Sequence, residues 1–465
     1  MIFWSDYKIP KFNKYTFKRK HYLDVIAAFD CEVTTFFKVV GKWVTQDYRE
    51  QSAEYFKMLS EADKIALPYI WQMGLNDDVV YGREMSDFIR FLNRIHVVNK
   101  EGILIVYVHN LGYDFEHFCE YTPSDTKVFA KAPFKPMYVK IPSWGIEFRC
   151  SYMLTNMSLA TCAKEFHLNE SKATGELDYT VARTPLTPLT SAETEYCERD
   201  IKVIIAMLRD VFLNRYSCIA DIPLTQTGEV RREVKELLLK SPFHRANMER
   251  VKPDLKMYRI LTDTLAGGYT HCNGLFAEKL LTNVDSYDKA SSYPDIMCTR
   301  KFPSEKWHEC KILDDFEKYA YLIHVRFNEI EAVGSWAYIS AHKCKSKGYP
   351  NKDGKPQPAE CDNGKIYRAL WVEMWCTELD YQLIKRCYSI KSEDIICAYR
   401  SYKEYLPKVF IEYLLKLYND KTTLKGNTEQ QALYMRSKQR INAGFGMMLS
   451  SLVHDELIFN AFSHL

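Results

Sequence analysis

Four carboxylates sit in three separated pieces of this chain: Asp30 and Glu32 in F-D-C-E, Asp114 in H-N-L-G-Y-D-F, and Asp200 in Y-C-E-R-D. A strand alternates its side chains, so Asp30 and Glu32 share a face. Tyr196 and Asp200 are four apart and share a face on a helix. Two divalent cations roughly 3.5–4 Å apart activate a water and stabilise the leaving oxygen of a phosphodiester, and converging carboxylates hold them. Any one of these acids alone reads as a solvated surface charge. The three pieces together, each on a suitable element, read as a metal-dependent nuclease site that uses Mg²⁺ or Mn²⁺.

The elements that must position these groups are legible around them. Val25–Val33 and Ile103–His109 are near-continuous apolar, β-branched runs, the pattern of strands buried on both faces. Each is expected to end at a proposed catalytic acid. Thr190-Ser191-Ala192-Glu193 has the spacing of a capping box and opens a helix. Ile201, Ile204, Ile205 and Leu208 give that helix its buried stripe and leave Tyr196 and Asp200 beside the sheet.

The three pieces resemble the Exo I, II and III motifs of the proofreading domain of family B DNA polymerases: D-x-E, N-x-x-x-(F/Y)-D and Y-x-x-x-D. Here they read Asp30-Cys31-Glu32, Asn110 through Tyr113-Asp114, and Tyr196 through Asp200. The middle motif is one residue tighter, as in the protein-primed branch, also described as the organellar and viral type B group. The resemblance implies that Asp30, Glu32, Asp114 and Asp200 hold the metals and that Tyr196 orients the attacking water. It implies that Asn110 and Tyr113 grip a frayed 3′ end. G-E-L-D-Y at Gly175–Tyr179 is similar to a G-D-x-D-Y segment with an assisting lysine, and Lys172 is the nearest candidate. Residues 1–215 then form a ribonuclease-H-like 3′–5′ exonuclease domain.

The second half carries further parts of the same resemblance. L-A-G-G-Y-T-H, with Gly267 and Gly268, reads as a glycine pair before a strand and is similar to the Y-x-G-G motif that couples the two activities on DNA. S-Y-D-K-A-S-S-Y-P resembles motif A, with Asp288 as palm metal ligand and Tyr293 as the platform under the incoming sugar. K-Q-R-I-N-A-G-F-G resembles motif B. There Lys438, Asn442 and Phe445, on one helical face, implied contacts to the nucleotide, and Lys421 resembles a second phosphate-binding lysine. The implied layout is multidomain, α/β followed by α+β: residues 216–260 a basic linker, 261–310 a palm part, 311–400 an insertion, 401–446 fingers, and 447–465 a truncated palm return. The insertion, with strand-like Tyr321–Phe327 and Ile366–Glu373 around a polar loop, is either a subdomain for a terminal protein or plain scaffold.

Motif C, the D-T-D hairpin, does not follow motif B in the nineteen residues after Gly446, and the thumb is not represented either. One palm acid cannot position two metals for attack by a 3′-hydroxyl, so weak or no polymerisation by this polypeptide alone is expected. The first reading is a DNA-directed DNA polymerase of a phage, plasmid or other mobile element, with proofreading and with dNTPs, primer-template and single-stranded DNA as partners. A terminal protein, and a second chain supplying motif C and thumb, stay open as partners. The alternatives are a free-standing 3′–5′ exonuclease with a vestigial polymerase half and a non-catalytic DNA-binding replication regulator.

Composition narrows the setting. The chain has 465 residues, 47% of them hydrophobic, which suits two or more globular domains and excludes a disordered chain. Its net charge of +3 is nearly neutral, but Arg231–Arg259 carries nine Lys/Arg against four Asp/Glu, a solvated helix face or a phosphate track. No apolar run reaches membrane-spanning length and no signal peptide opens the chain. Fourteen cysteines lack any C-x-x-C pair, which fits reduced thiols in a cytosol better than a disulfide framework. The resemblance implies the cytoplasm of a bacterial host, with an organelle matrix as the alternative. Cys344 and Cys361 flank a Lys/Gly/Pro loop and are a weak zinc signal, since two lone thiols are half of a usual ligand set; metal binding there stays open.

Overall fold

The structure, a computed structural model, describes residues 1–46, 52–130, 132–170, 177–272, 276–289, 291–334, 337–426, 431–448 and 457–458. The chain divides into two compact units: residues 1–232 together with 417–465, and residues 233–416. Lys172, Gly175 and most of the segment 447–465 lie outside the described residues.

In the first unit Lys14–Phe17 and Lys20–Leu23 pair as a separate hairpin, and ten of the described strands form one mixed sheet. Its order is Ile2–Phe3, Asp78–Gly82, Lys64–Leu75, Ala27–Val39, Leu104–Val108, Ile146–Cys150, Pro136–Ile141, Lys127–Ala130 and Leu457–Ile458, with Lys42–Thr45 paired to Ala27–Val39. The centre is parallel: Ala27–Val39 runs beside Leu104–Val108, which runs beside Ile146–Cys150. All five residues of Leu104–Val108 are buried, as the continuous apolar run demands of a strand covered on both faces.

Two helices supply those covers. Met85–Val98 packs its Phe88, Phe91, Leu92 and Ile95 against Ala27, Phe29 and Cys31. Phe29 and Phe88 stack with ring centroids 4.2 Å apart, and Phe118 meets both rings edge-on. Each of these phenyl groups is wholly buried, a contribution of about 1.5–3 kcal/mol apiece. On the opposite face Ser191–Ala206 lays Ile201, Ile204 and Ile205 against Ala28, Ile105 and Tyr107. The expected capping box at Thr190 and Glu193 starts this helix, with both reciprocal bonds made. Leu208, the last of the expected stripe, is also buried.

The acid-bearing strand differs from its expected extent. It does not stop at Val33 but runs on to Val39, with an irregularity in pairing between Glu32 and Val33. Thr34–Phe37 keeps pairing with Lys64–Leu67, and the Lys42–Thr45 hairpin extends the ladder. The polar threonine pair concealed this continuation.

Close approach of the sheet to the helix Ser191–Ala206 depends on Gly74. A Cβ there would come within 2.3 Å of Ile205 Cδ1 and 2.6 Å of Ile201 Cγ2. Gly74→Ala is therefore expected to destabilise the unit by about 1–3 kcal/mol, the scale of overpacking. Urea unfolding reads this directly, and an unchanged midpoint would show that the two isoleucines rearrange without cost.

The second unit is built on three long antiparallel strands, with Tyr319–Ala332 in the middle, Lys365–Thr377 on one side and Tyr388–Tyr405 on the other. The helix Glu378–Cys387 covers the face formed by Tyr321, Ile323, Val325 and Phe327. Leu255–Thr264 covers Leu322 and Tyr399 on the other face through Met257 and Ile260. Tyr321–Phe327 and Ile366–Glu373 lie within strands as expected. The third strand escaped the sequence reading because Lys391-Ser392-Glu393-Asp394 breaks its apolar pattern. Among the described residues no strand follows Gly267–Gly268: residues 265–272 are irregular, and Tyr269 anchors them by donating to the Ala337 carbonyl at 2.9 Å.

Candidate active site

Asp30 and Glu32 lie on the face of their strand that looks toward the helix Ser191–Ala206. Asp200 projects from that helix, and oxygens of Asp30, Glu32 and Asp200 all lie within 4.8 Å of one another. Among the described residues this is the one grouping of three metal-ligating side chains. Glu32 and Asp200 are buried, and three carboxylates this close repel one another unless a cation or protons intervene. The donor set is all oxygen, which suits Mg²⁺ or Mn²⁺ rather than a thiolate-seeking metal. Cys344 and Cys361 belong to no such grouping.

The fourth acid arrives differently. Asn110 takes a left-handed conformation, φ 70°, which asparagine tolerates. It turns the end of Leu104–Val108 into the short helix Leu111–Glu116 and so carries Asp114 back over the acid strand. One Asp114 oxygen accepts the Cys31 backbone N–H at 3.1 Å and the Cys31 thiol at 3.3 Å. Burial, then the charges of Asp114 and Asp30, hold the thiol well above its ordinary range, so it remains a donor. Asp114 therefore stands outside the group formed by the other three acids, fixed to the residue between two of them.

Burial pushes the Asp114 carboxyl up to about 7, against the two lowering bonds from Cys31. The folded metal-free protein keeps this proton where the unfolded chain, near 3.8, has released it. Stability without metal is then expected to fall as pH rises from about 4 to about 7. Thermal melts in EDTA should show the decline, and Asp114→Asn should flatten it. An identical slope in both proteins would assign the decline to other groups.

Around the acids runs a cleft of about 360 Å³ that also exposes Tyr113, Tyr179, Tyr196 and His109. Tyr196 is buried, and its hydroxyl lies 3.1 Å from that of Tyr179. Burial raises the Tyr196 phenol to about 12, so it acts as a neutral hydrogen-bonding group, not as a base. Tyr113 is half exposed at the rim.

Three functional neighbours were missed in the sequence. Gln72 is fully buried, stands directly opposite Asp30 across the strand pair, and donates to Asp30 at 2.7 Å. A lone amide inside the apolar run Y-I-W-Q-M-G was the available signal, because a buried amide needs a partner. Tyr179, the last residue of G-E-L-D-Y, had been noted only as part of a motif. Arg183 had no local signal at all. Its guanidinium donates to Glu193 and to the carbonyls of Asp178 and Val181, and its backbone N–H donates to Thr34 on the acid strand.

The remaining candidates fall in both units. Asp288 and Tyr293 are exposed in the second unit, where Tyr293 lies in the first turn of the helix Ser292–Thr299. A Cβ on Gly268 would lie 3.5 Å from the Tyr293 hydroxyl, so the glycine pair and the motif A tyrosine are neighbours. Gly267 has open space around it. Asp288 is in no three-ligand grouping among the described residues. Lys438 and Asn442 are exposed on the helix Gln431–Met448, Phe445 is half-buried there, and Lys421 lies on Lys408–Leu424 near Tyr418.

Comparison with known proteins places the chain in a family. Residues 175–450, more than half of the chain, match the family described as DNA polymerase type B, organellar and viral. No curated protein sequence matches. Similar solved structures include phi29 DNA polymerase complexed with primer-template DNA and incoming nucleotides, at 16% identity and a TM-score of 0.63. That match covers 91% of this chain and 68% of the other. Phi29 DNA polymerase complexed with single-stranded DNA gives 16% identity and a TM-score of 0.64, covering 92% and 68%. Its orthorhombic crystal form gives 17% and 0.62 over the same shares. The chain belongs to the organellar and viral type B DNA polymerases.

Proposed function

We propose that the first unit is a ribonuclease-H-like 3′–5′ exonuclease that proofreads for a DNA-directed DNA polymerase of the protein-primed type. The observation that carries this reading is the convergence of Asp30, Glu32 and Asp200 within 4.8 Å in an open cleft. The parallel sheet centre with a helix on each face supports it. Asp30, Glu32 and Asp200, with Asp114, would hold divalent cations, whose chemistry when bound would be to activate a water at neutral pH and to offset charge on the leaving 3′ oxygen. Gln72 holds Asp30 in place. Tyr196, braced by Tyr179, orients the water, while Asn110 and Tyr113 hold the terminal nucleotide of single-stranded DNA.

In the polymerase half, Asp288 would be a metal ligand and Tyr293 the platform for the incoming dNTP sugar. Lys421 and Lys438 take the triphosphate, whose developing charge needs fixed cations. Asn442 and Phe445 form the floor of the nascent base pair, and Gly267 and Gly268 let primer-template DNA approach the backbone. A terminal protein and a second polypeptide carrying further palm residues are the proposed protein partners. The proposed setting is replication of a mobile element in bacterial cytoplasm, with an organelle matrix as the alternative.

The test is a 5′-labelled primer on a longer template, in Mg²⁺ or Mn²⁺, with and without dNTPs. Shortening that is faster from a mismatched end and stops in EDTA is the expected result. Extension abolished by Asp288→Ala would place polymerisation in this chain, and neither shortening nor extension would sink the reading.

A further inference from the structure

The turn Ala132–Lys135, which leads into the strand Pro136–Ile141, is the most unusual surface feature near the acids. Phe134 is 79% exposed and has φ +58°, a left-handed backbone that a bulky residue adopts only at a cost. The next backbone N–H, of Lys135, closes the turn on the Ala132 carbonyl at 3.0 Å. Under the turn lies Gly112 of the short helix that bears Asp114. A Cβ at Gly112 would come within 2.2 Å of the Phe134 carbonyl oxygen, so this contact requires glycine. The turn is thereby docked on the helix that carries a catalytic acid, while its phenyl ring stays in solvent.

Lys135 borders two clefts. One, of about 550 Å³, is walled by Asp30, Asp200, Asn110 and Tyr152. The other, of about 350 Å³, shares Asn110, Lys135 and Tyr152 and ends at Phe134. The two clefts together lead from the carboxylates, past the Lys135 side chain, to the exposed Phe134 ring. A cluster of acids repels a phosphodiester chain, and a cation beside it offsets that repulsion. Bases stack on exposed rings in a sequence-tolerant manner.

We propose that Phe134 and Lys135 form a clamp on the single-stranded DNA entering the exonuclease site. The ring stacks on a base upstream of the reacting end and the ammonium contacts a phosphate. This rests on the exonuclease reading above. Neither residue touches the reacting atoms, so both position the strand.

The test uses the full chain and a single-stranded 12-mer. Phe134→Asn removes the ring but tolerates the left-handed backbone, Phe134→Tyr restores a ring, and Lys135→Ala removes the charge. Phe134→Asn is expected to raise KM about tenfold with kcat changed less than twofold, and Phe134→Tyr to restore the parent value. Lys135→Ala is expected to reduce the slope of log KM against log salt by about 0.7. Anisotropy of the labelled 12-mer in EDTA should show the same tenfold loss of affinity for Phe134→Asn, and it reads the clamp without cleavage. Unchanged KM and affinity in both variants would overturn the clamp and leave the exonuclease intact. A fall in kcat of the same size as the rise in KM would make the turn merely structural and also overturn it. A parent chain that binds the 12-mer through Phe134 but never shortens it would overturn the exonuclease reading alone.

Discussion

A primer that the parent chain is expected to shorten in Mg²⁺ should stay at full length with Asp30→Ala/Asp114→Ala, a loss of at least about 10³-fold in rate, the upper scale for removing preorganised charge at a reacting centre. Asp30 is one of the three acids within 4.8 Å, and Asp114 is the acid that Cys31 holds beside them. Their removal leaves Glu32 and Asp200, too few carboxylates for two cations. Alanine at both positions also leaves the buried Gln72 amide and the Cys31 N–H without their acceptors, which lowers stability. A thermal melt in EDTA therefore accompanies the assay, and activity is read well below the variant's melting temperature. Tyr196→Phe, which keeps the ring and removes one hydrogen bond, should be far milder, about tenfold to a hundredfold. Persistence of shortening in the double variant, after repurification to exclude host nucleases, would place the chemistry elsewhere.

Arg183→Met is expected to cost about 3–5 kcal/mol of stability, the scale for stranding one partner of a buried ion pair. The pair is Arg183 with Glu193, whose side chains are 6% and 13% exposed. Arg183 is more than a counter-ion. It joins the capping box that opens the Asp200 helix, the Asp178–Val181 segment that carries Tyr179, and Thr34 of the acid strand. Denaturant unfolding should show the loss. Exonuclease activity at a permissive temperature should fall as well, because the Tyr179 brace on Tyr196 loosens. The double replacement Arg183→Met/Glu193→Leu should recover much of the stability without restoring the brace. If Arg183→Met unfolds at the parent's denaturant concentration, the ion pair contributes no net stability.

The acids were legible because chemistry restricts them: few arrangements other than a metal site place D-x-E on a buried strand ahead of Y-x-x-x-D on a buried helix face. The covers of the sheet were legible for the same kind of reason, since a continuous apolar run such as Leu104–Val108 needs both faces hidden. Gln72 and Arg183 were not legible to the same degree. Their roles exist only once Asp30 finds Gln72 across a strand pair, 42 positions on, and once residue 183 returns to Thr34, 149 positions earlier. The separate position of Asp114 was likewise invisible, because the bond to Cys31 follows from the left-handed turn at Asn110. The long strand Tyr388–Tyr405 shows the opposite limit, where partner strands impose an extended conformation on a polar stretch that has no apolar alternation of its own.

The parallel centre of the first sheet has a consequence for synthesis of the chain. Ala27–Val39 can pair with Leu104–Val108 only after a crossover of more than sixty residues, and Asp200 joins them nearly a hundred residues later still. Such nonlocal contacts form slowly and are rewarded only after loop closure has been met. An emerging chain that has displayed Asp30, Glu32 and Asp114 still lacks the third member of the cation-binding group. The cation-binding group of carboxylates is therefore completed late in synthesis, and a copy that ends before Asp200 lacks it.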